Sequence, residues 1–187
     1  VYDLQLRYEA QNVQDVMWCQ AWNITALNAG TREFYNRSKE LPDDLNRAFS
    51  TEQNLDKEDL VSALKTIIDM ADVVIDVHNS ELLKNCVVIN NDLRAQNYVN
   101  FCKKNDIPFT VMESTTDTIK RFVLNENKVG FTVEIGDMGF SDSSEGVDFL
   151  DKLVKALQAT DLETLRYPNQ NPLDASQVTK AIYAHSQ

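Results

Sequence analysis

Apolar positions along this chain fall into two alternating rhythms: short unbroken runs, and longer stretches in which they return every three or four residues. After a weakly alternating start from Val1 to Gln11, Val16-Met17-Trp18-Cys19-Gln20-Ala21-Trp22 reads as a core strand closed by Asn23. Polar residues and Pro42 break the stretch from Arg37 to Asp44, because proline lacks an amide hydrogen and cannot sit inside a long regular element. The period is helical from Asp56 to Ala71, where Leu60, Ala63, Leu64, Ile67, Ile68 and Ala71 form one stripe and charge is concentrated early. It leads into Asp72-Val73-Val74-Ile75-Asp76-Val77-His78-Asn79, an apolar, β-branched run that predicts a buried strand delivering polar groups at its carboxyl end. Further strands are expected at Cys86 to Ile89, at Phe109 to Met112 after Pro108, and at Val129 to Ile135. The intervening helices are expected at Asp92 to Lys104, with Leu93, Tyr98, Val99 and Cys102 inward, and at Thr115 to Asn125, with Ile119, Phe122 and Val123 inward. A loop from Gly136 to Gly146 precedes a last clear helix from Val147 to Ala159; beyond Pro168 the pattern fades, with a short helix at Gln177 to Ala184. Strands alternating with helices predict an α/β fold with a largely parallel sheet, and 187 residues fit one domain.

Composition narrows the partners. Hydrophobic content of 43% with 25% charged residues is ordinary for a soluble globular chain, and no apolar run approaches the roughly 18 residues of a bilayer span, so no membrane partner is expected. A net charge of -11 with 18 scattered basic residues argues against a nucleic-acid partner, since phosphate neutralisation needs clustered Lys and Arg. Cys19, Cys86 and Cys102 are odd in number and in no CxxC spacing, and they read as reduced thiols of a cytoplasmic protein. The chain starts at Val1 without a signal-like segment, which reads as a piece of something longer. Its oligomeric state, a homo-oligomer included, is left open by the sequence.

Three places carry candidate chemistry. Asp76 and His78 are two apart on a strand and project from the same face, which suits an imidazole that binds a metal or substrate beside an orienting carboxylate. The structural alternative is a hydrogen-bonded histidine closing the strand. Asn46-Arg47, between apolar anchors in a loop, offers a planar guanidinium for bidentate capture of a carboxylate; the alternative is a solvated turn. Glu134 sits within an apolar strand, where an unpaired carboxylate costs on the order of several kcal/mol. Either a partner or a raised pKa must answer for it, and the second outcome describes a general base.

Four short motifs in order resemble the succinylglutamate desuccinylase/aspartoacylase family of zinc carboxypeptidase-like hydrolases. They are Asn23-Ile24-Thr25-Ala26 with Gly30-Thr31-Arg32, then Asp44-Leu45-Asn46-Arg47-Ala48-Phe49, Asp76-Val77-His78-Asn79, and Gly130-Phe131-Thr132-Val133-Glu134-Ile135-Gly136. The resemblance covers roughly residues 16 to 140. It implies a central mixed, largely parallel sheet flanked by helices, a zinc ion, and a small anionic acyl-amino-acid-like substrate. It further implies that His78 is the last zinc ligand and Glu134 the catalytic glutamate. By the same resemblance, Asn46 and Arg47 grip the substrate carboxylate, and Arg32 helps to bind substrate and polarise the scissile carbonyl. Such a mechanism suits the residue types, because zinc acidifies bound water while a nearby carboxylate moves the proton.

The chain also departs from the pattern. The family places a His-x-x-Glu motif before the region of Asn23 to supply two zinc ligands, yet no histidine precedes His78, and of the two histidines present the other is His185 in the tail. The family's C-terminal β-rich region is short or missing as well, so the chain reads as truncated. His78-Asn79-Ser80-Glu81 is itself His-x-x-Glu and, with His185, gives an internal alternative for the metal. Two functions are therefore expected to compete: a zinc-dependent deacylase, and a metal-free relative that keeps the pocket as a carboxylate-binding or interaction module.

Overall fold

The computed structural model describes residues 2–11, 15–18, 58–78, 83–112, 119–135, 144–168 and 173. In chain order these form helix α1 (Tyr2–Ala10), helix α2 (Glu58–Asp69), strand β1 (Val73–His78), strand β2 (Cys86–Asn90), helix α3 (Ala95–Lys104) and strand β3 (Phe109–Met112). Helix α4 (Ile119–Asn125), strand β4 (Val129–Glu134), helix α5 (Ser144–Gln158) and the short helix α6 (Glu163–Arg166) complete the set. The strands make a mixed sheet in the order β1-β4-β2-β3. Parallel pairs β1–β4 and β2–β3 meet at an antiparallel junction between β4 and β2. The expected α/β sheet flanked by helices, largely parallel, is the observed one.

Period-two alternation sorts the strand residues onto two faces. Val73, Ile75, Val77, Val87, Ile89, Phe109, Val111, Val129, Phe131 and Val133 belong to the larger core, together with side chains of α1, α3 and α5. The Tyr98 and Phe101 rings of α3 lie on Phe131 with centroids 4.9 and 5.6 Å apart. On the opposite face Val61, Leu64 and Ile68 of α2 and Ile119 and Val123 of α4 pack with Val74. A Cβ added at Gly130 would stand 3.1 Å from Val123 Cγ1, so the glycine lets α4 close onto β4. Lys128, just before β4, donates Nζ to the carbonyls of Asp69 and Ala71 at 2.9 and 2.8 Å and satisfies the end of α2, whose last turn has no basic residue of its own.

Several expectations are corrected. The opening segment is helical because Leu4 and Tyr8, four residues apart, are both buried in the core, and no alternation survives. Tyr8 adds a hydrogen bond to Asp151 at 2.9 Å, and Arg7 pairs with Asp148 at 2.9 Å, which docks α1 on α5. Val16 to Trp18 form no strand; Trp18 meets the Tyr8 ring edge-on at 5.5 Å, while Cys19 to Trp22 lie outside the described residues. The inner stripe of α2 is Val61, Leu64 and Ile68; Ala63 faces solvent and the Leu60 side chain is outside the description. Leu93 is 60% exposed, because α3 begins only at Ala95. Helix α5 starts at Ser144, inside the expected loop, and Glu134 is the last residue of β4 where the sequence suggested mid-strand. Residues Thr115 to Thr118 and the expected helix at Gln177 to Ala184 lie outside the described residues.

The docking of α1 gives a direct test. Replacing buried Leu4 by Ala should destabilise the fold by about 2–5 kcal/mol in chemical denaturation. Leu6→Ala, at a position 45% exposed, should change it by no more than about 0.5 kcal/mol. Equal effects at the two positions would mean that α1 does not pack as described.

Candidate functional site

The parallel strands β1 and β4 end together, with His78 paired to Glu134 and, one layer back, Asp76 paired to Thr132. Adjacent strands are about 4.8 Å apart, so the imidazole and the carboxylate leave neighbouring positions on the same face. This is the carboxyl end of the strands, where α/β sheets place their ligands. Helices α2 and α4 cover the same face toward the other end, around Val74 and Gly130.

His78 Nε2 lies 2.8 Å from Asp76 Oδ2, with side chains 27% and 18% exposed. The same-face expectation for Asp-x-His is met, and what Asp76 orients is His78 itself. A carboxylate can only accept here, so Asp76 takes a hydrogen bond from Nε2–H and fixes the orientation of the ring.

Strand β2 enters from the opposite direction and places Cys86 directly across from Glu134. Directly opposed residues share a face, so the thiol belongs to this corner of the sheet. Burial, followed by the Glu134 carboxylate, pushes the Cys86 thiol up to about 11. Asn85 makes the turn into β2 at φ 50°, in the left-handed region that asparagine tolerates better than most residues. Gly146, in the first turn of α5, brings that helix against Asn85 and Ile135: a Cβ there would meet Ile135 Cβ at 3.5 Å and Asn85 Oδ1 at 3.6 Å. The sequence reading placed Cys86 in a strand and Gly146 in a loop without bringing either to this corner, and it did not single out Asn85. The strand register brings Cys86 here, and the packing of α5 brings Gly146 to Asn85.

Arg32, Asn46 and Arg47 lie outside the described residues, as do Asn79 to Leu82, with Glu81 among them, and His185. The structure therefore unites Asp76, His78 and Glu134 of the candidate residues and adds Cys86. Among the described residues no group of three or more His, Cys, Asp or Glu side chains could hold a metal ion. A catalytic zinc takes three protein ligands, so the described residues do not fit a complete zinc centre, although His78 suits one place in it.

No family model matches the chain, and no curated protein does either. Its fold is found in solved structures. The ectoine utilization protein EutE from Ruegeria pomeroyi, in a product-bound structure, matches at TM-score 0.53 and 20% identity over 82% of this chain and 48% of that one. A succinylglutamate desuccinylase/aspartoacylase from Rhodobacter sphaeroides matches at TM-score 0.54 and 19% identity over 83% of this chain and 47% of the other. A succinylglutamate desuccinylase from Silicibacter sp. matches at TM-score 0.57 and 18% identity, over 81% and 48%. The chain thus has the zinc carboxypeptidase-like fold of the succinylglutamate desuccinylase/aspartoacylase structures, as its four motifs imply. It spans about half the length of the structures it matches.

The thiol gives a probe of the corner. Because its folded value stands above the ordinary 9.0, the folded protein loses stability from Cys86 as pH rises from about 9 toward about 11, while the unfolded chain ionises first. Glu134→Gln should lower the thiol ionisation measured by thiolate absorbance, though not to 9.0, since burial is the larger cause. An unmoved thiol in the folded variant would separate Glu134 from Cys86.

Proposed function

We propose that this corner is part of the catalytic site of a hydrolase that cleaves the amide bond of an N-acyl amino acid or a similarly anionic substrate. The observation that carries the reading is the register of His78 with Glu134 at the ends of β1 and β4, with Asp76 holding the imidazole at 2.8 Å. The motif order in the sequence and the shared fold support it.

In this reading the proton chemistry belongs to Glu134. As general base its carboxylate takes a proton from the attacking water, and as general acid it returns that proton to the leaving amine. Asp76 keeps His78 in one orientation. Arg32 and the Asn46-Arg47 pair grip the anionic substrate, a guanidinium being the side chain best shaped for a carboxylate. Zinc enters through the resemblance, with His78 as one ligand; the described residues do not complete the set. Buried, reduced Cys86 and Cys102 suit a reducing compartment such as the cytoplasm. The net charge of -11 keeps nucleic acid out of the proposal.

A second reading rests on the sequence, in which no histidine precedes His78: a metal-free relative that uses the pocket to bind carboxylates. One variant separates the two. In protein expressed from its whole coding region, Glu134→Gln should keep the fold and the zinc content and lower kcat by roughly 10²–10⁴-fold, with a smaller change in KM. Normal turnover by folded, zinc-loaded Glu134→Gln would remove Glu134 from catalysis. Wild-type protein that binds N-acyl aspartate or glutamate without zinc or turnover would establish the binding module.

A further inference from the structure

Strands β2 and β4 pair for three residues, from Cys86–Glu134 to Val88–Thr132, and the ladder then stops. Two polar side chains take over the backbone groups beyond that point. Lys120 of α4 donates Nζ to the Val88 carbonyl at 2.7 Å, and the Tyr98 hydroxyl of α3 accepts from the Gly130 amide at 3.2 Å. Nζ also stands 5.9 Å from the centroid of the Tyr98 ring. Lys120 is only 4% exposed, an unusual degree of burial for an ammonium.

An ammonium carries three N–H donors, and the Val88 carbonyl takes one of them. Among the described residues no carboxylate stands within ion-pair distance of Nζ. Beside Lys120 lies a small, partly open pocket with room of about 10 Å³, walled by Ile89, Ala95 and Leu124 and carrying the polar residues Asn90, Asp92 and Tyr98. Asn90 is itself buried, 7% exposed. A volume of roughly 10–15 Å³ holds one water, and internal waters make about 3 hydrogen bonds to groups otherwise left short. The pocket has the size and the polar lining for one water. It is too small for an organic ligand.

We propose that this pocket is a binding site for a single ordered water, which joins the Lys120 ammonium to the Asp92 carboxylate and the Asn90 amide. The water turns a buried cation that has one hydrogen bond among the described residues into a water-bridged ion pair at the place where β2 and β4 separate. Burial lowers the Lys120 ionisation to about 8, with Asp92, Cys102 and Asp76 acting in the opposite sense and Tyr98 facing the amine from α3. A bridging water held by the charged form works with Asp92 against that depression. The site lies at the far end of β2 from Cys86 and stands independently of the proposed hydrolase chemistry.

A high-resolution crystal structure of the wild-type protein tests this, with a second crystal soaked in bromide. One water peak within hydrogen-bond distance of both Lys120 Nζ and an Asp92 carboxylate oxygen, with no anomalous bromide signal, is the expected result. A direct Lys120–Asp92 ion pair, an anomalous peak in the pocket, or a dry pocket would each overturn it. Lys120→Met should lose the water while leaving the rest of the sheet in place. Because that variant carries the risk of misfolding, the wild-type density decides alone.

Discussion

Strand β4 takes a parallel partner on one side and an antiparallel one on the other, and most of the structure follows from that arrangement. The parallel partner, β1, ends level with β4 and sets His78 beside Glu134. The antiparallel partner, β2, begins where β4 ends, which puts Cys86 across from the same carboxylate. A one-residue slip in either ladder would turn the polar groups into the larger core and the valines out of it. The apolar positions Val73, Ile75, Val77, Val129, Phe131 and Val133 therefore enforce the geometry of the polar corner.

The helices divide one face of the sheet between packing and chemistry. α2 and α4 fill the end around Val74 and Gly130, where the glycine permits close approach, and they leave the carboxyl ends of β1 and β4 to polar side chains. Asp76 and His78 satisfy each other there. At the opposite end the parting of β2 from β4 leaves backbone groups that Lys120 and Tyr98 take up. Each end of the junction thus carries buried or half-buried polar groups, and each is fixed by named hydrogen bonds.

Much of this was legible in the chain, and the parts that were not share a physical cause. The β-branched run ending at His78 announced a strand, and the two-residue spacing of Asp76 and His78 announced a common face; both are local signals. The strands at Cys86 and Phe109 and the inner positions Tyr98, Val99 and Cys102 were legible for the same reason. Helix α1 was not, because among its described side chains only Leu4 and Tyr8 are buried and the signal drowns in polar neighbours. Cys86 was placed in the core but not at the site, since only the antiparallel register brings it to Glu134. Lys120 was not singled out, since nothing local says that it is buried where β2 and β4 part. The family resemblance supplied roles for residues that local pattern could not rank, and the observed fold agrees with it.

If Glu134 and His78 work as one site, as proposed, a double-mutant cycle on turnover will show it. The four proteins are wild type, Glu134→Gln, His78→Ala and the double variant, each expressed from the whole coding region and checked for folding. Residues that act as a unit are strongly non-additive. The double variant should then lose about as much activity as the worse single variant. Losses that multiply, or single variants that turn over normally, would contradict it.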